Sequence, residues 1–166
     1  MGVIRLAVLV LALIGAALSV WRLEAGRAGL VITPLSVGTT PATVYRLPGD
    51  APAPVVVIAH GFAGSRPLMD SIALTLARAG YIAVSYDLMG HGRNPVPMSG
   101  DVTRIDGTTT VLMDELARVS DAGLALPGAD GRLALVGHSM ASDIVVRQGV
   151  RDGLAAGGCA APVPRA

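Results

Sequence analysis

The apolar run Arg132-Leu133-Ala134-Leu135-Val136 passes without a break into Gly137-His138-Ser139-Met140-Ala141, and this junction constrains the chain more than any other segment. Such a run reads as a strand, and the small residues behind it read as a sharp turn that hands the chain to a helix. A serine at a turn of this kind takes a strained backbone, so the residues two before and two after it must let strand and helix approach closely. Gly137 and Ala141 are small enough, although Ala141 carries one methyl more than the glycine usual in G-x-S-x-G. The competing reading of Ser139 is an ordinary serine capping a helix N-terminus.

Two upstream segments repeat the pattern of a strand ending in a functional turn. Pro54-Val55-Val56-Val57-Ile58-Ala59 is a continuous β-branched run, the pattern of a strand buried on both faces, and it ends in His60-Gly61-Phe62-Ala63-Gly64-Ser65. Tyr81-Ile82-Ala83-Val84-Ser85-Tyr86 forms a further predicted strand and ends in Asp87-Leu88-Met89-Gly90-His91-Gly92-Arg93. Between them Met69, Ile72, Ala73, Leu76 and Ala77 are spaced three and four apart, which predicts a helix stopped by Gly80. A second amphipathic helix is expected over residues 109–124, after a Pro- and Gly-rich loop at 94–107. Pro127-Gly128-Ala129-Asp130-Gly131 then turns into the last strand. Residues 30–37 and 43–47 favour two leading edge strands, separated by a turn at Gly38-Thr39-Thr40-Pro41. This alternation predicts an α/β fold with a mostly parallel sheet and flanking helices.

The two upstream turns resemble the H-G-x-x-G oxyanion loop and the D-x-x-G-H-G turn of the α/β-hydrolase superfamily, and the segment around Ser139 resembles its nucleophile elbow. The resemblance covers residues 30–150, with serine esterases and lipases the nearest in kind, and implies a partial α/β-hydrolase fold. It assigns Ser139 as nucleophile and the backbone amides of Phe62 and Met140 as the oxyanion hole. His60, Gly61 and Gly64 would shape the first loop, Asp87, Gly90, His91 and Gly92 the second, and Gly137, His138 and Ala141 the elbow. The implied substrate is a small molecule carrying an acyl group, with no metal or organic cofactor.

In that family the acid and the histidine follow the serine in sequence. Here 27 residues follow Ser139; they contain Asp143 and Asp152 but no histidine. His60, His91 and His138 all precede it. His138 is expected to point into the structure, His91 to bond within its loop, and His60 to bond locally, with a His60–Ser139 dyad the alternative. The run 133–136 is apolar throughout, as in a central strand paired on both sides, so the chain is expected to be the N-terminal part of a longer hydrolase. Residues 29–152 are read as the partial hydrolase domain and 153–166 as a flexible tail.

Residues 6–20 are apolar apart from Gly15 and Ser19 and follow Arg5, the layout of a signal sequence or an uncleaved signal anchor within residues 1–25. Trp21 and Arg22 suit a membrane interface, whereas Ala17-Leu18-Ser19 offers a cleavage site, so a membrane-anchored and a processed form both stay open. The hydrolase part is expected to be exported. With a net charge of +1 and scattered arginines, no basic stripe is present for nucleic acid. The single Cys159 can form no intrachain disulfide and has no metal-ligating companion in sequence. A catalytically inactive, membrane-tethered binding module is the alternative function; a nucleotide-binding reading fails because Gly90-His91-Gly92 lacks the third glycine of a dinucleotide fingerprint.

Overall fold

The β-branched runs become strands and the period-3.6 segments become helices. The chain follows the order α1 (Gly2–Ala25), β1 (Val31–Val37), β2 (Thr40–Arg46), β3 (Ala53–Ala59), α2 (Asp70–Arg78), β4 (Ile82–Tyr86), α3 (Thr108–Leu124), β5 (Ala129–Gly137) and α4 (Met140–Arg151). A 3₁₀ turn over Arg66–Met69 leads into α2. The computed structural model describes residues 2–101, 104 and 106–154; the tail expected at 153–166 lies almost wholly outside the described residues.

The five strands form one sheet in the order β1-β2-β4-β3-β5. The sheet is mixed, parallel on the side that carries the site and antiparallel at its leading edge. β1 and β2 form an antiparallel hairpin, β2 runs antiparallel to β4, and β3 lies parallel to β4 on one side and to β5 on the other. The hairpin turn is tighter than the sequence implied, since Thr40 and Pro41 already belong to β2. Pro34 is tolerated in β1 because that strand stands at the sheet edge, where a missing amide donor costs no ladder bond.

Alternation along β3 divides the core. Val55, Val57 and Ala59 face the cluster built with Leu112, Leu116 and Val119 of α3 and Ile144 of α4. Val56 and Ile58 face Met69 and the Ala73 and Ala77 stripe of α2. Each fully buried aliphatic side chain here contributes about 1.5–3 kcal/mol relative to exposure. Gly123 lets α3 approach the sheet, since a Cβ there would lie 3.0 Å from Val55 Cγ1.

After β3 the chain moves to β4 on one side, then returns past β3 to β5 on the other. A single crossover hand therefore puts α2 and α3 on opposite faces, as the two clusters show. The crevice where the strand order reverses lies at the carboxyl ends of β3 and β5, the place where open α/β sheets bind ligands. β5, expected to be paired on both sides, stands at the sheet edge among the described residues.

Helix α1 is long and apolar enough for a membrane span or a signal sequence, with a mean hydropathy of 2.6 over its most apolar window, and none of its residues is buried. Its carboxyl end is fastened to α2. Arg78 donates to the carbonyls of Ala25, Gly26 and Ala28, and Arg27 pairs with Asp70 at 2.6 Å. Asp70 also accepts from the Tyr45 hydroxyl at 2.6 Å; burial first, then that bond, pushes the Tyr45 phenol up to about 12.

Candidate active site

The crevice is occupied by the ends of β3 and β5 and the turns that leave them. Ser139 follows β5 with φ of 54° and ψ of −119°. It shares a positive φ with Ala63 alone among the described non-glycine residues. A helix-capping serine has extended backbone and a hydroxyl bonded to the first turn. Ser139 has neither, because its side chain makes no capping bond. The hydroxyl-bearing residue is exposed at the head of α4, held by backbone bonds from Ala141 to the His138 carbonyl and from Ser142 to its own carbonyl.

Small residues make the turn sterically feasible. A Cβ on Gly137 would lie 2.3 Å from the Ala141 carbonyl oxygen and 2.8 Å from Val145 Cγ2. Ala141 is itself fully buried, so its extra methyl is absorbed by the α3–α4 side of the core. His138 donates its amide to the Ala59 carbonyl at 3.0 Å, which ties the elbow to the end of β3.

The loop after β3 lies directly against Ser139. A Cβ on Gly61 would come within 2.8 Å of Ser139 Cβ, so only glycine allows this approach. The loop closes through the Gly64 amide bonded to the Gly61 carbonyl at 3.0 Å. Phe62 carries an exposed ring, and Met140 opens α4, where the first amides of a helix have no intrahelical acceptor and a positive dipole end. A cleft of about 340 Å³ borders Ser139, lined by Phe62, Ala63, Leu68, Met69 and His138.

Three histidines meet at this site with different fates. His60 is fully buried: its Nδ1 bonds the Gly61 carbonyl at 2.7 Å and its Nε2 accepts from the Leu88 amide at 3.1 Å. With both nitrogens committed, it bonds locally and forms no dyad with Ser139. His91 is also buried, with Nδ1 on the Met89 carbonyl at 2.9 Å and its ring packed edge-on to both His60 and Phe62 at 5.4 Å. His138 departs from expectation: it does not point inward but is exposed and lines the cleft beside Ser139. The reason is the elbow itself, which turns the chain away from the sheet before the ring can enter the core.

Burial, the largest effect on it, pushes the His60 imidazole below its usual value and so favours its neutral form in the folded protein. The unfolded chain binds a proton below about pH 6.5 that the folded chain does not, so stability is full above that pH and falls as pH drops towards the depressed folded value. Urea unfolding at about pH 8 and about pH 5 should show this loss, and His60→Asn, which keeps a donor for the Gly61 carbonyl, should flatten it.

Asp87 is the buried carboxylate that joins the two loops. It accepts from the Arg66 amide at 2.7 Å, just beyond the Gly61–Gly64 turn, and from the Arg93 amide at 3.0 Å. Gly92, at φ of 56°, is required beneath it, since a Cβ would fall 2.3 Å from Asp87 Oδ1. Gly90, at φ of 74°, is also crowded, since a Cβ there would lie 2.8 Å from the Met98 amide nitrogen and Cβ. Sequence reasoning missed Glu115 of α3, 1% exposed, which accepts from Thr40 Oγ1, Asn94 Nδ2 and the Met89 amide. The available signal was an acid placed within the buried Leu112, Leu116, Val119 stripe. Among the described residues no group of three or more His, Cys, Asp or Glu side chains is placed to hold a metal ion.

A family model described as serine aminopeptidase, S33, matches residues 50–157. Among solved structures, the chain is similar to an epoxide hydrolase from Vigna radiata, with a TM-score of 0.56 and 21% identity over 77% of this chain and 38% of that one. It is similar to the thioesterase domain from the curacin biosynthetic pathway, with a TM-score of 0.53 and 29% identity over 75% of this chain and 43% of that one. A bacterial membrane phospholipase A gives a TM-score of 0.56 and 22% identity over 92% of this chain and 49% of that one. The chain thus spans less than half the length of each of these structures. The matched segment holds both loops and the elbow, and on it the chain belongs to the serine aminopeptidase S33 family of α/β-hydrolases.

Proposed function

We propose that Ser139 is the nucleophile of a hydrolase acting on an ester-like acyl bond. The observation that carries this reading is the positive φ of Ser139 together with a hydroxyl that caps nothing. Strain of this kind costs about 1–3 kcal/mol and persists where surrounding structure enforces it. In the proposed step Ser139 Oγ attacks the carbonyl carbon, its proton passes to a base, and the oxyanion accepts from the Phe62 and Met140 amides. Collapse expels the alcohol, and water then releases the acid from the acyl-serine.

Chemistry favours an acyl substrate over an epoxide, although an epoxide hydrolase is among the similar structures. A serine opening an epoxide leaves an ether that water does not cleave under mild conditions, whereas an acyl-serine is an ester that turns over. The apolar Phe62, Ala63, Leu68 and Met69 beside Ser139 suit the acyl chain of such a substrate. His60 and His91 are committed elsewhere, and in this family the histidine follows the serine, so none of the three histidines, His138 beside Ser139 included, is assigned as the base. Helix α1 is assigned as a membrane anchor; flotation with vesicles before and after removal of residues 2–25 tests it.

The test supplies imidazole as a substitute base with p-nitrophenyl butyrate as substrate. Imidazole-dependent p-nitrophenolate release above the protein-free rate, with a terminal epoxide left unreacted, is the expected result. Epoxide opening without ester turnover overturns the acyl reading. The commitment of His60 and His91 also favours a second reading, a membrane-tethered module that binds without turnover; the absence of any imidazole-dependent rate selects it.

A further inference from the structure

We propose that Glu115 is a positioning residue for the oxyanion loop, acting through the Asp87–Gly92 turn and the His91 ring on Phe62; this rests on the assignment of the Phe62 amide as an oxyanion donor. Two consecutive amides of that turn are held by side chains of different elements. Leu88 donates to His60 Nε2 at 3.1 Å, and Met89 donates to Glu115 Oε2 at 2.9 Å. The Met89 carbonyl then accepts from His91 Nδ1 at 2.9 Å, and the His91 ring meets the Phe62 ring edge-on at 5.4 Å and 80°. Phe62 is 70% exposed, and this edge contact is what links its ring to the Asp87–Gly92 turn.

Only a carboxylate satisfies the arrangement. Oε1 accepts from Thr40 Oγ1 and Asn94 Nδ2, each at 2.8 Å, while Oε2 accepts from Met89. All three partners donate to it, two of them through N–H groups that can only donate, and the side chain is buried. A glutamine keeps one acceptor oxygen but must turn its NH₂ towards either the Met89 amide or Asn94 Nδ2, donor against donor, even though the Thr40 hydroxyl could rotate to accept. An unsatisfied buried amide at Met89 frees the turn to rotate, and His91 moves with it.

The test compares Glu115→Gln with Leu116→Ala, its core neighbour outside the polar chain, by amide hydrogen exchange under native conditions and by imidazole-dependent ester turnover. In Glu115→Gln the Gly61 and Phe62 amides should exchange roughly tenfold faster and kcat should fall with KM unchanged, whereas Leu116→Ala should move those amides only as far as global unfolding does. Unmoved Gly61 and Phe62 amides in Glu115→Gln, or equal movement in both variants, overturns the proposal. If Glu115→Gln does not fold, His91→Ala breaks the same chain one link later and is read by the same criterion. Exchange does not depend on Ser139 reacting, so an inert serine overturns the hydrolase reading alone and a static Phe62 overturns this proposal alone.

Discussion

Replacing Ser139 with glycine is expected to stabilise the fold by about 1 kcal/mol while removing all imidazole-dependent ester turnover. The sign follows from the backbone. At φ of 54° and ψ of −119° an L side chain is strained, and glycine is not. The relief of about 1–3 kcal/mol is offset by the extra chain entropy of glycine in the unfolded state, about 0.5–1 kcal/mol. Ser139→Ala should lose the same turnover without the gain, because alanine keeps the strained Cβ. Most changes at an exposed site lie within about 0.5 kcal/mol, so a clear rise for glycine over alanine reports stored strain. Equal stability of the three proteins in urea would remove the basis for calling this turn an elbow.

The second large effect belongs to Gly137. Adding one methyl in Gly137→Ala sets a carbon 2.3 Å from the Ala141 carbonyl oxygen and 2.6 Å from its carbon, both backbone atoms that cannot rotate away. Either α4 moves off β5 or the fold yields, at a cost of about 3 kcal/mol or more. The same methyl in Gly149→Ala, within α4 and 3.8 Å from its nearest neighbour, should instead stabilise by about 0.5–1 kcal/mol through helix propensity. Chemical denaturation of the pair separates crowding at the elbow from any general intolerance of α4.

Much of this was legible in the chain itself. The cores of β3, β4 and β5 announced themselves as β-branched or apolar runs bounded by turn residues, and each carried a glycine-bearing turn at the carboxyl end. Gly137 could be singled out because strand and helix must approach there, and Gly61 and Gly92 because their turns resemble the family's motifs; at all three a Cβ would collide with a neighbour. Side-chain direction was not legible. Sequence adjacency gave no means of telling that His138 faces the cleft while His60 lies buried with both nitrogens engaged. Glu115 was hidden because its partners, Thr40, Met89 and Asn94, come from two segments far away in sequence. The antiparallel attachment of β2 to β4 was equally invisible, since strand pairing is a long-range choice that local pattern does not encode.

The most direct measurement is the site of covalent modification by a fluorophosphonate in the presence of imidazole. Cleavage at Arg132 and Arg147 releases residues 133–147, whose two serines are Ser139 and Ser142. The folded protein should carry a single adduct on Ser139, absent from the urea-unfolded chain and from Ser139→Ala. An adduct on Ser142 or another serine, equal labelling of folded and unfolded protein, or no adduct at all contradicts the account.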